Sequence, residues 1–106
     1  MDIHFGSKKL QKLCLDPREA TKALGADSAR KLRSRLADLQ AAETVLELVA
    51  GRPHPLTGSM AGQFALDLAG GQRLVFRPAG QEADAARPDW KRVTAIEIVF
   101  IGDYHD

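Results

Sequence analysis

Apolar residues recur at helical spacing through the first half of the chain and alternate with polar ones in the second, and that change of period orders the sequence. "MDIHF" sets Ile3 and Phe5 between polar neighbours, which predicts a short opening strand. In "SKKLQKLCLD", Leu10, Leu13 and Cys14 fall on one side of a short helix. In "DPREATKALG", Asp16 precedes a proline at the first helical position, Glu19 completes a capping box, and Gly25 closes the segment. "ADSARKLRSRLADLQAAET" places Ala29, Leu32, Leu36 and Leu39 on one stripe, with Asp27 or Ser28 as the expected cap.

After "VLELVAGRPHPL" the texture changes. Pro53, Pro55, Gly58 and Gly62 punctuate the chain before two alternating runs, "QFALDL" and "QRLVFR", joined by an "AGG" short enough for a hairpin. Phe64, Leu66 and Leu68 share one face of the first run, and Leu74 and Phe76 one face of the second. "PAGQEADAARPD" has no periodicity and reads as a surface excursion that returns at Trp90, expected to plug the core. "RVTAIEIVFI" then predicts a strand with Val93, Ala95, Glu97, Val99 and Ile101 on one side and Thr94, Ile96, Ile98 and Phe100 on the other. Both sides are largely apolar, which places it centrally. The sum is an α+β fold, a small antiparallel sheet with N-terminal helices packed on one face, in a single domain over residues 1–106.

Composition narrows the function. With fifteen Lys and Arg against fourteen Asp and Glu, the formal charge is +1, which argues against a surface built wholly to trap polyanions. The charge is uneven: residues 1–53 carry ten basic and seven acidic side chains, residues 54–106 five and seven. Arg30, Lys31, Arg33 and Arg35 crowd the third helix; a solvated face is the plain explanation, and a second contact for RNA or an acidic segment the functional one. The single Cys14 lies between leucines, as a small buried hydrophobe would. No apolar stretch approaches the roughly 18 residues that span a bilayer, and a soluble, cytoplasmic protein without membrane contacts is expected.

The chemistry on offer is limited. His4, His54 and His105 lie far apart without Cys or Glu at ligand spacing, so neither a metal nor another cofactor is expected. "AGGQ" lacks the length and the Lys of a phosphate loop, and "TGSMAG" is not a nucleophile elbow. What remains is a hairpin carrying Arg73 and Arg77, a loop carrying His54, and a last strand that leads to Tyr104 and His105.

Those same stretches, "HPLTGSMAGQFALDLAGGQRLVFRP" and "DWKRVTAIEIVFIGDYHD", resemble the RelE/ParE superfamily of bacterial toxins, in its HigB-like branch of plasmid maintenance killer proteins, whose relatives are sometimes named killer suppression proteins. The resemblance implies a RelE-like fold and a type II toxin that cleaves mRNA on the ribosome, neutralised by a helix-turn-helix antitoxin in a heterotetramer. Metal-free RNA cleavage needs a base for the ribose 2′-hydroxyl, cations for the transition state and an acid for the leaving oxygen. By the resemblance, Arg73 clamps the phosphate, His105 transfers the proton, and Tyr104 positions a base or the phosphate. His54, Arg52, Arg77 and Lys91 are further candidates for holding RNA.

The departures point elsewhere. Thr57, Met60 and Asp67 stand where active relatives commonly carry basic residues. Loss of two such cations would cost roughly ten-thousand-fold in rate at about a hundredfold each. Either Arg52, Arg77 or Lys91 replaces them, or Asp67 faces away from the site, or the chain is a non-catalytic binding protein on the same fold.

Overall fold

The computed structural model describes residues 1–80, 83 and 87–103. Strand β1 (Asp2–Phe5) leads into helices α1 (Lys8–Leu15), α2 (Pro17–Leu24) and α3 (Ala26–Ala41). A 3₁₀ turn at Val45–Glu47 precedes β2 (His54–Pro55), and a second at Gly58–Met60 precedes β3 (Phe64–Asp67); β4 (Gln72–Pro78) and β5 (Ala95–Asp103) complete the chain. The strands form one sheet in the order β1-β5-β4-β3-β2.

The helices begin and stop where side chains satisfy the free backbone groups of their ends. Ser7 caps α1 by accepting from the Leu10 N–H at 3.1 Å, and the Asp16 carboxylate caps α2 through the Arg18 N–H at 3.0 Å. Helix α3 differs from expectation. It starts at Ala26 from Gly25, whose φ of 87° turns the chain without a side-chain cap. Ser28 is therefore inside the helix, almost fully buried, and its hydroxyl both donates to the Ala69 carbonyl and accepts from the Ala69 N–H, each at 3.1 Å. That hydroxyl ties α3 to the β3–β4 turn. At the other end of α3, the Met1 ammonium donates to the carbonyls of Leu39, Gln40 and Ala42 at 3.0, 3.1 and 2.6 Å. A cation there complements the negative end of the helix dipole.

Leu32 and Leu39 of α3 pack into a core with Phe64, Leu66, Leu74, Phe76, Ile96 and Ile98 from the sheet. Fully burying each such side chain is worth about 1.5–3 kcal/mol, so this layer of helix on sheet carries most of the stability. Trp90 closes one end, its ring 4.9 Å from Phe64 and 6.5 Å from Phe76 in edge-on contacts. Cys14 is partly buried, and burial pushes its thiol up to about 11.

Two features depart from the expected sheet. The sheet is mixed rather than antiparallel, because β1 runs parallel to β5, with Ile3 opposite Ile96 and Phe5 opposite Ile98. These two strands are joined through the whole of the intervening chain, so no tight turn constrains their direction. The second departure is a β-bulge in β5: pairing steps from Phe76↔Ile98 to Val75↔Phe100, which leaves Val99 as an extra residue. The simple alternation therefore breaks at Val99. Ile96, Ile98 and Ile101 align with the core positions of β4, whereas Glu97, Phe100 and Gly102 align with Arg77, Val75 and Arg73. β5 is central, as expected, between β1 and β4. The excursion over 78–89 lies partly outside the described residues.

Candidate functional site

The sheet face turned away from the helices carries the polar chemistry. Period-two alternation sets Phe64 and Leu66 of β3 into the core and turns Ala65 and Asp67 to the other side. On β4 the same rule turns a half-buried Arg73 and an exposed Arg77 to that side while burying Leu74 and Phe76. Asp67 is the register partner of Arg73, and Arg77 that of Glu97. Ala65 and Val75, paired in the middle of this face, are fully buried, flanked across the ladder by His54 and Phe100.

His54 is part of a strand, not of a loop: it pairs with Ala65 at the sheet edge as residue one of β2. The segment before it is drawn onto β3 by the Asp67 N–H, which donates to the Gly51 carbonyl at 2.6 Å. Only glycine fits at position 51. Its φ is 85°, and a Cβ there would come within 2.6 Å of Arg35 Nε and 2.9 Å of Arg35 Cδ, because the Arg35 side chain from α3 runs directly beneath. Arg35 is thereby taken out of the expected basic helix face, and Arg30 of the same face pairs with Asp27 at 2.7 Å. Lys31 and Arg33 remain exposed.

Arg52 follows in the left-handed region, φ 49°, and its guanidinium meets the Asp67 carboxylate twice, Nε to Oδ2 at 2.8 Å and Nη2 to Oδ1 at 3.4 Å. Arg73 reaches the same carboxylate from the opposite strand, Nε to Oδ1 at 3.4 Å, and donates from Nη1 to the Gly71 carbonyl at 3.0 Å. Asp67 thus faces the site and bridges two of its cations; it does not turn away. Burial by itself would raise the Asp67 pKa, but the Arg52 hydrogen bond and the charges of Arg52, Arg73 and His54 outweigh it and lower the carboxyl below its ordinary value.

His54 Nδ1 lies 2.8 Å from the Arg52 carbonyl. A carbonyl only accepts, so Nδ1 carries the proton, and in the neutral ring Nε2 is left with a lone pair available to take one. Arg52, Arg73 and His54 are thus gathered at one rim around Asp67. Arg77 stands four residues along β4, about 13 Å away at 3.3 Å per residue, in a 2.7 Å pair with Glu97. Lys91 follows Trp90, at the Phe64–Phe76 end of the sheet rather than the Asp67–Arg73 end. β5 ends on Gly102, opposite Arg73, and Asp103, opposite Gln72. Tyr104 and His105 lie outside the described residues.

Among the described residues no group of three or more His, Cys, Asp or Glu side chains forms a metal-binding cluster, and no helix is long and apolar enough to cross a membrane. The Arg52–Asp67 pairing was not anticipated from the sequence. The hairpin did contain the signal for Asp67 and Arg73: with Leu66 and Leu74 both assigned to the core, their neighbours Asp67 and Arg73 must share the opposite face across a short turn.

This architecture has been seen before. The structure is similar to a YoeB/ParE toxin from Agrobacterium tumefaciens, with a TM-score of 0.64 at 16% identity over 99% of this chain and 100% of the other. It is similar to the YoeB dimer from Staphylococcus aureus (TM-score 0.60, 14% identity, 100% of this chain and 98% of that one) and to YoeB in the YoeB–YefM complex from Staphylococcus aureus (0.58, 15%, with the same coverage). The described residues therefore share the fold of YoeB/ParE toxins. No family model and no curated protein sequence matches it.

Proposed function

We propose that the chain is the toxin of a toxin–antitoxin pair and acts on mRNA at the ribosome as a metal-independent endoribonuclease. The observation that carries this reading is the meeting of Arg73, Arg52 and His54 at one rim of a fold shared over the full chain with YoeB/ParE toxins. Two guanidiniums supply a planar, multidentate contact for a phosphodiester. The Nε2 of His54, left as the acceptor nitrogen of the ring, supplies a base for a ribose 2′-hydroxyl. His105, which follows Asp103 by two residues in sequence, is proposed as the second proton-transfer group, and Tyr104 as a positioning group. Arg77 and Lys91 are assigned to flanking RNA rather than to the reacting phosphate. The similarity to YoeB held in a complex supports a protein antitoxin as partner; a helix-turn-helix antitoxin, a heterotetramer and a HigB-like branch are the finer form of that proposal.

Expression without the antitoxin is expected to arrest growth, and His105→Ala or Arg73→Ala to relieve the arrest. Mapping mRNA 5′ ends after induction reads the mechanism directly. Cuts positioned by codon support the nuclease; arrest with an unchanged 5′-end pattern rejects it.

That second result would favour a non-cutting binding protein on the same fold, and Asp67 is the observation behind it. A carboxylate that already engages both Arg52 and Arg73 offsets one of their two charges where a phosphate must enter.

A further inference from the structure

Asp67 is the charged group of the rim that RNA chemistry does not itself call for, yet it holds more of the rim than any other side chain described there. Its N–H fixes the Gly51 carbonyl at 2.6 Å, its carboxylate holds the Arg52 guanidinium at 2.8 and 3.4 Å, and Arg73 reaches it at 3.4 Å. Arg52 is the one described residue other than glycine with a positive φ. Such a backbone is strained for a residue that carries a Cβ and persists only where its surroundings over-determine it. Here they do so from both sides, through Gly51 N-terminally and through the His54 ring on the Arg52 carbonyl.

From this geometry we infer that Asp67 is a positioning residue: by pinning Arg52 in its left-handed conformation it aims the Arg52 carbonyl, and that carbonyl sets the tautomer and direction of the His54 ring. The chain of contacts is short and each link is a hydrogen bond: Asp67 carboxylate to Arg52 guanidinium, Arg52 carbonyl to His54 Nδ1–H. An aspartate where a cation would serve phosphate binding then has a use. It exchanges part of the positive field for a histidine whose ring is held through Nδ1 and whose Nε2 keeps its lone pair. The orientation of His54 stands on these contacts alone; its catalytic meaning rests on the RNA-cleaving reading.

The experiment separates the two. Protein labelled with ¹⁵N at histidine is prepared as wild type, Asp67→Ala, Arg52→Gly and the double variant, and long-range ¹⁵N–¹H correlations are recorded over a rising pH series until the ring nitrogen shifts stop changing, which reads the neutral imidazole. Wild-type His54 is expected in the Nδ1–H form. Both variants are expected to lose it, with exposed His4 unchanged in all three, and Asp67→Ala is expected to add nothing on the Arg52→Gly background, since the route runs through Arg52. Trp90 fluorescence verifies folding. Should Asp67→Ala not fold, Arg52→Gly decides, because glycine relieves the backbone strain while removing the side chain that Asp67 grips. Retention of the Nδ1–H form in a folded Arg52→Gly or Asp67→Ala protein overturns the inference. If the tautomer responds but wild type leaves mRNA 5′ ends unchanged, the nuclease reading fails and the positioning role stands. If wild type cuts, Asp67→Ala is expected to lower the cleavage rate at least tenfold, within the roughly hundredfold or more that a placed base contributes.

Discussion

Asp67 and Arg73 face each other across β3 and β4 as register partners, and their side chains meet at 3.4 Å on the sheet face away from the helices. The candidate phosphate ligand is thus pre-engaged by a carboxylate one strand away. Its planar, forked geometry is kept, but its field is partly neutralised before any substrate arrives.

Replacing Arg73 tests whether that fork is used. Arg73→Ala is expected to reduce RNA cleavage about a hundredfold or more, and Arg73→Lys to restore little of it, because a single ammonium cannot make two parallel bonds. Growth after induction and a cleavage assay on programmed ribosomes measure the effect. Full activity in Arg73→Lys would show that charge alone suffices.

The Asp67 network sets an acid limit on stability. The folded-state pKa of Asp67 is depressed, so its contribution is present above the unfolded value of about 3.9 and is lost as pH falls through the lower folded value. Thermal midpoints of wild type and Asp67→Asn are expected to differ at pH 6 and to converge as the pH is lowered below about 4. A constant difference down to pH 2 would mean that packing, not charge, carries the effect.

Ser28 is the buried polar residue of the helix layer, with its hydroxyl making both bonds to Ala69. Ser28→Ala leaves the Ala69 N–H and carbonyl without that partner and is expected to cost about 1–3 kcal/mol, read from urea denaturation. Ser28→Cys, similar in shape but a weak donor and acceptor, is expected to fall between wild type and alanine.

The Met1 ammonium serves three carbonyls at the end of α3. Acetylating it, or fusing a tag to it, removes the charge and two of its donor hydrogens. The expected cost is about 0.5–2 kcal/mol, a fall of several degrees in Tm for a chain of this size. A C-terminal tag serves as the control for stability, and equal midpoints would show the contact to be energetically idle.

The elements of the fold were largely legible because their signals are local. Asp16 before Pro17, the leucine stripe of α3 and the alternation of β3 and β4 each state their structure within a few residues. What was not legible depends on distant chain. The parallel direction of β1 against β5 is set by packing across the whole molecule. The start of α3 at Ala26 follows from the use of Ser28 by Ala69, forty-one positions away. The rim was partly legible: Arg73 and His54 stood out by residue type, whereas the role of Asp67 needed Arg52 beside it. Arg52 reaches Asp67 only because Gly51 and Arg35 shape the turn, and no periodicity encodes that.

Val99 acts as a phase shifter. By adding one residue without a partner, it lets Ile101 return to the core alignment and Gly102 sit opposite Arg73, so the last turn of pleat is out of step with the rest of β5. Were Val99 instead paired in plain alternation, with no bulge, everything after it would exchange sides, setting Ile101 toward the rim and Gly102 toward the core. The site and the core are in this sense separately addressed along one strand, by counting from either side of a single residue.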